Sequence, residues 1–166
     1  MDEKMLSKLH IVAVTAIVVR DDGRMLVMKR SDREVVFPSK WTVPGGKFTK
    51  EDYASKPPTT ASYQGWYGVT IPAVQREVLE EANIQIDDVR YLTDYAFIRP
   101  DGISVLGLSF WARYKSGEVK PGADLVDFAW VTAEEAKGYD LIEGIGDELF
   151  EVARILKGAA TPLPVP

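Results

Sequence analysis

Arg76-Glu77-Val78-Leu79-Glu80-Glu81-Ala82-Asn83-Ile84, read together with Trp41-Thr42-Val43-Pro44-Gly45-Gly46-Lys47, decides how this chain folds. Thr70 to Ala82 carries a helical pattern, with Thr70 as a capping residue and Pro72 in the early turn. Placed at about 100° per residue from Glu77, Ile71, Val74, Val78 and Ala82 fall at about 60 to 140°, a stripe expected to be buried. Glu80 and Glu81 fall at about 300° and 40°, so Glu77, Glu80 and Glu81 share the adjacent face. Like charges at this spacing destabilise a helix by about 0.2–0.5 kcal/mol per pair unless a cation sits among them. Oxygen-only ligands suit a hard ion, Mg²⁺ or Mn²⁺. Taken alone, a segment such as REVLEEA also reads as a solvated helix face.

Working outward, Pro44, Gly45 and Gly46 stop any regular element and let the backbone turn sharply. Upstream, Ile11 to Val19 is β-branched and Arg24 to Arg30 is a second strand, joined through Asp21-Asp22-Gly23 in an expected hairpin. Between the special loop and the helix, residues 48–68 show no helical or strand period and read as a long surface insertion. Beyond the helix, strands are expected at Val89 to Ile98, Ile103 to Tyr114 and Leu125 to Val131. Thr132-Ala133-Glu134-Glu135 has the form of a capping box, and a last helix runs from Gly146 to Lys157, ended by Gly158. Residues 159–166 form a Pro-rich tail expected to fray. No repeat or linker divides the chain, so residues 1–166 are expected to form one α/β domain.

The chain has 166 residues, no cysteine and one histidine, His10. That excludes disulfide frameworks, thiolate zinc sites, cysteine nucleophiles and multi-histidine metal centres. Carboxylates remain as the chemistry-bearing groups. With 25 Asp and Glu against 20 Lys and Arg, the net charge is −5, and a general attraction to a nucleic-acid polymer is not expected. No apolar run is long enough to span a bilayer and the amino terminus has no export signal, so the expectation is a cytoplasmic protein without membrane contact.

The two opening segments together resemble the Nudix family of MutT-like pyrophosphate hydrolases, whose signature is G-x5-E-x7-R-E-U-x-E-E-x-G-U, with U a bulky aliphatic residue. The resemblance covers most of the chain, from the opening hairpin ending in MKRS to the closing DLVDFAWVTAEEA. It implies a mixed β-sheet sandwiched between α-helices, and metal-dependent attack of water on a nucleoside diphosphate linked to some group X. Two departures stand out. Asn83 occupies the position of the last glycine, and it is the residue best able to replace Gly in a left-handed helix end. The distance from Gly46 to Arg76 is 30 positions, where the signature allows about 14, so an insertion splits the motif. Counting forward from Gly46 puts Asp52 in the register of the signature glutamate with Glu51 beside it, whereas counting back from Arg76 reaches Gly68.

By the same resemblance, Glu77, Glu80 and Glu81 are the metal ligands, joined by a backbone carbonyl at Gly45 or Gly46 and by Asp124, with Asp127 as second choice. Glu77 is the expected base, and Arg76 orients the carboxylates. Arg30 and Lys47 are candidates to meet phosphate, and Phe37 and Trp41 to meet the substrate beside the Gly-Gly loop. Tyr53, Tyr63, Trp66 and Tyr67 in the insertion either stack a base or pack the loop down. The expected substrate is a nucleoside triphosphate or another small nucleoside diphosphate derivative, and a homodimer is a frequent assembly in the family. ADP-ribose or an ADP-sugar is the alternative, because Pro100 lies near a proline found in ADP-ribose hydrolases; a domain that binds a nucleotide without cleaving it is the second alternative. The isomerase branch of the family needs a cysteine, which this chain lacks.

Overall fold

The computed structural model describes residues 3–158. In chain order the elements are α1 (Glu3–Leu6), β1 (Ile11–Val19), β2 (Met25–Arg30), β3 (Trp41–Thr42), β4 (Gly45–Lys47), α2 (Glu51–Ala54), α3 (Thr70–Ala82), β5 (Ile84–Ile98), β6 (Ser104–Gly117), β7 (Leu125–Val131), α4 (Ala133–Ala136) and α5 (Ile145–Leu156). The strands form one seven-stranded mixed sheet. At its centre β1 runs parallel to β6 along its whole length, from Ile11 opposite Val105 to Val19 opposite Arg113. β1 is buried on both faces in its second half, as its nearly unbroken β-branched sequence requires of a strand covered on both sides. α3 packs on one face, over Val14, Ala16 and Val18; α4 and α5 pack on the other, over Ile17 and Val19. This is the α/β/α sandwich expected from the sequence.

The opening hairpin is narrower than expected. Gly23, at φ +78°, closes the turn with its N–H on the Arg20 carbonyl, but β1 and β2 pair only at Val19 and Met25. Beyond that pair the strands part, and the segment from Trp41 to Lys47 wedges between them. β3 pairs with β2 through Thr42 and Trp41, while β4 pairs with β1 from Ala13 to Thr15. The free side of β2 is taken by β7. The fork therefore places Gly45 and Gly46 on the edge of the central strand.

α3 keeps its expected span, with two local differences. Its N-cap is Val69, with no side-chain cap, so Thr70 is the first helical residue and does not cap it. Ile71 is exposed and Ala73 is buried in its place, because the apolar stripe shifts by about half a turn in the first turn. Asn83 ends the helix at φ +58°, and its side-chain amide donates to the Glu118 carbonyl at 3.0 Å. β5 starts at Ile84, five residues before the expected Val89, because Ile84 and Ile86 bury beneath α3 while irregular pairing around Asp87 to Arg90 turns the strand outward. The capping box at Thr132 and Glu135 is formed in both directions, and Gly158 follows the last helix at φ +81°. The Pro-rich tail lies outside the described residues. No helix among the described residues is long and apolar enough to cross a membrane.

Candidate active site

Residues 48–68 do not lie free of the domain. The short helix α2 opens the segment, and the Tyr53 ring sits between Phe48 and Trp66, at centroid distances of 5.6 and 5.2 Å. Phe48 itself packs against the core beneath α3. These contacts carry α2 to the carboxylate face of α3.

There Arg76 gathers the carboxylates. Its guanidinium donates to Asp52 Oδ1 at 2.6 Å, to Glu80 Oε2 at 2.9 Å and to the Lys47 carbonyl at 3.3 Å, and Glu77 Oε1 lies 2.9 Å away. Asp52 and Glu77 raise the proton affinity of Arg76 far above its ordinary value against the effect of burial, with Asp52 the largest influence. The Asp52 side chain is only 3% exposed; burial opposes its charge, yet the Arg76 guanidinium and the Thr49 N–H hold its carboxyl below the usual range. Of the two residues in the displaced register, Asp52 is the one paired to Arg76. Glu51, in the same turn, is exposed, makes no ion pair among the described residues and also lines the cavity.

Glu77 is buried, and that burial pushes its carboxyl upward against the pull of Arg76. A methyl group at Gly46 would lie 2.2 Å from Glu77 Oε2, so only glycine lets this carboxylate approach the β4 backbone. Glu81 accepts from the Gly45 N–H at 2.9 Å, and burial, reinforced by Glu77 and Asp124, pushes it up to about 7. Glu80 is the exposed member of the three, with 58% of its side chain open to solvent.

A cavity of about 770 Å³ opens over this face. Seven carboxylates and four cations line it, together with Gly45 and Gly46; Arg30, Gly46, Lys47 and Asp124 from the sequence analysis are all on its wall. Asp124 arrives because the chain before it is clamped to the end of α3: the Lys120 and Gly122 N–H groups donate to the Ala82 and Glu81 carbonyls. Asp127 does not line the cavity; its carboxylate accepts from the Phe128 N–H. Arg30 pairs with Glu34 and donates to the Val36 carbonyl at 3.0 Å.

Trp41 and Phe37 are not brought to this cavity. Trp41 packs edge-on against Tyr139 in the second core, held there by the pairing of β3 with β2. Phe37, at φ +52°, lies against Phe97, which stacks on Tyr95 across the neighbouring sheet surface. Lys56, Glu34 and Thr49 also line the cavity and were not singled out by the sequence. A lysine in a stretch without periodicity carries no signal, although Lys56 does follow Asp52 by one helical turn.

The Nudix domain model matches residues 9–149. The chain belongs to the Nudix family. Among curated proteins, nucleoside triphosphatase NudI of Escherichia coli (strain K12) is 28% identical over 135 residues, covering 75% of this chain and 84% of that protein. Among solved structures, a MutT protein from Methanosarcina mazei Go1 superposes with a TM-score of 0.65 at 24% identity, over 92% of this chain and 99% of that one. A C. elegans Ap4A hydrolase gives 0.63 at 19% identity, over 89% and 98%. At these identities the two structures speak for the fold alone. The Nudix assignment makes this chain a pyrophosphohydrolase of the α/β class.

The donor set agrees with the divalent ions that Nudix hydrolases use. It is made of oxygens, and like charges crowd it: Glu77 and Asp124 raise the proton affinity of Glu81, and Glu80 and Asp52 that of Glu77, a repulsion that a hard cation relieves. Among the described residues no three of these acids are drawn into a ready cluster, since Glu77 and Glu80 turn to Arg76 and Glu81 to Gly45.

Proposed function

We propose that this Nudix hydrolase cleaves the pyrophosphate linkage of nucleoside triphosphates with Mg²⁺ or Mn²⁺, in the cavity above α3. The observation that carries the reading is the convergence of Glu77, Glu80 and Glu81 on one rim, with Arg76 tied to Asp52 behind them. The similarity to NudI, named a nucleoside triphosphatase, supports the substrate class. A cysteine-free chain is compatible with a reducing, cytosolic setting.

Glu77, Glu80, Glu81, the Gly46 carbonyl and Asp124 are the groups that would hold the ions. Bound there, they would neutralise phosphate charge and lower the pKa of the attacking water. Glu77 takes the proton from that water: Arg76 fixes Oε1, and Oε2 lies beside Gly46. The water oxygen forms a bond to phosphorus, the bridging P–O bond breaks, and the departing phosphate or pyrophosphate carries away the electron pair. Arg30 and Lys47 meet the phosphate oxygens. Val36 is tied to Arg30, so Phe37, whose ring meets Phe97 at a tilt, follows one residue after the Arg30 contact, where a base could lie on a ring face.

Pro100 gives ADP-ribose no geometric support. It sits in the β-turn closed by the Gly102 N–H on the Arg99 carbonyl and does not line the cavity. The test is a panel of nucleoside triphosphates, ADP-ribose, sugar nucleotides and dinucleotides with Mg²⁺ and Mn²⁺, reading released phosphate or pyrophosphate. Turnover of triphosphates is expected. Preferential turnover of ADP-ribose replaces the substrate, and no turnover on any compound moves the chain to nucleotide binding without hydrolysis.

A further inference from the structure

The cations lining the cavity are not equivalent. Arg76 is engaged with three carboxylates and Arg30 with Glu34, whereas Lys47 and Lys56 make no ion pair among the described residues. Lys47 belongs to the Gly-Gly loop. Lys56 comes from the insertion, and the backbone that carries it is held from several sides. Its N–H donates to the Tyr53 carbonyl at 3.0 Å, and its own carbonyl accepts from Trp66 Nε1 at 2.9 Å. Trp66 and Tyr53 pack on each other, and Tyr53 stacks on Phe48, which is seated on the core. The rest of the loop closes on itself: the Thr59 N–H donates to the Gly65 carbonyl at 2.8 Å, and the Tyr67 N–H to Thr59 Oγ1 at 3.0 Å. Four residues before Lys56, Asp52 fastens the same turn to Arg76. An ammonium without a partner is thus delivered to the wall of an acidic cavity by a buttressed loop.

We propose that Lys56 is a phosphate-binding residue supplied by the insertion, and that it favours a triphosphate over a diphosphate. The proposal rests on the nucleotide-hydrolase reading of the cavity. Pairing the free ammonium with phosphate oxygens adds a charge-assisted hydrogen bond, and the gain grows with the negative charge of the chain it meets. Tyr53 and Trp66 are positioning residues that act through the Lys56 backbone.

The test compares wild type with Lys56→Ala, Lys56→Arg and a control, Lys115→Ala, which removes a charge from the exposed end of β6. Tripolyphosphate and pyrophosphate are titrated calorimetrically with Mg²⁺ present, and KM and kcat are measured for a nucleoside triphosphate and its diphosphate. Lys56→Ala is expected to weaken tripolyphosphate binding about tenfold, to weaken pyrophosphate binding less, and to raise KM for the triphosphate with little change in kcat. Lys56→Arg recovers most of the loss, and Lys115→Ala matches wild type. Equal affinity for tripolyphosphate in wild type and Lys56→Ala, with unchanged melting temperatures, overturns the assignment. If no nucleotide is turned over by wild type, the hydrolase reading fails, while the two polyphosphate titrations still decide whether Lys56 binds phosphate.

Discussion

Asp52 Oδ1 accepts a hydrogen bond from Arg76 Nε at 2.6 Å, although 24 positions of chain separate the two residues. The chain between them stays packed on the domain through Tyr53, Phe48 and Trp66, so the two side chains meet across a long stretch of sequence. Replacing Asp52 by Ala removes this bond and the one to the Thr49 N–H, at an expected cost of about 1–3 kcal/mol in stability. If the carboxylates around Arg76 act as proposed, loss of this partner is expected to lower activity by about 10–100-fold. Glu51→Ala, on the exposed side of the same turn, should leave both nearly unchanged. Denaturant melts and turnover on the two variants check this, and an equal effect from both would remove the distinction between them.

The two glycines of the special loop should fail in different ways. A methyl group at Gly45 would stand 2.3 Å from the Val14 carbonyl, which the central strand cannot move, so Gly45→Ala should lower the melting temperature markedly. At Gly46 the obstacle is the Glu77 carboxylate. Gly46→Ala should displace that side chain and lose turnover out of proportion to stability. Thermal melts paired with steady-state rates separate the two outcomes.

Glu80→Gln and Glu81→Gln are expected to reduce Mg²⁺-dependent hydrolysis by orders of magnitude. The metal-free protein should melt close to wild type in both cases, because Glu80 is exposed and a Gln at 81 can still accept from Gly45. Unchanged turnover in both would exclude the carboxylate face of α3 from the reaction.

On the opposite face of the sheet, Glu148 of α5 accepts from Ser109 Oγ beside Tyr95. Burial raises its carboxyl above the ordinary value of 4.5, with Ser109 opposing. A raised folded pKa means that the native state holds the proton more tightly. The resulting stability is fully present below the unfolded pKa and is lost as pH rises through the folded one. Glu148→Gln keeps an acceptor for Ser109 and has no charge to bury. It should match wild type in acid and become the more stable protein as pH rises above the carboxylate range. Paired melts across pH check the sign; a gap that stays constant or narrows toward alkaline pH contradicts it.

Much of this architecture is readable in the residues. The unbroken β-branched run of β1 marks a strand covered on both faces, and REVLEEANI with its Asn83 helix end fixes both the carboxylate face and its termination. What escapes a linear reading depends on distant partners. The hairpin of β1 and β2 looks continuous because nothing local reports that Trp41 to Lys47 will enter between them. Trp41 looks like an approach to the glycine loop, yet strand pairing turns it to Tyr139. Residues 48–68 carry no periodicity because their order comes from single contacts, Tyr53 on Phe48 and Trp66 on the Lys56 carbonyl, which no repeat announces.

The parallel pairing of β1 with β6 also bears on how the molecule is made. Arg76, the three glutamates and both loop glycines all lie in the first half of the chain, yet the strand that supports Gly45 and Gly46 needs Ser104 to Gly117 along its other edge. At a synthesis rate of roughly 5–20 residues per second, that partner reaches the nascent chain seconds after β1 does. Parallel pairing over so long a separation is among the slower steps of folding. During that interval the chain already carries its chemical groups without the strand order that aligns them, so an amino-terminal fragment ending at α3 is expected to be inert however complete its motif.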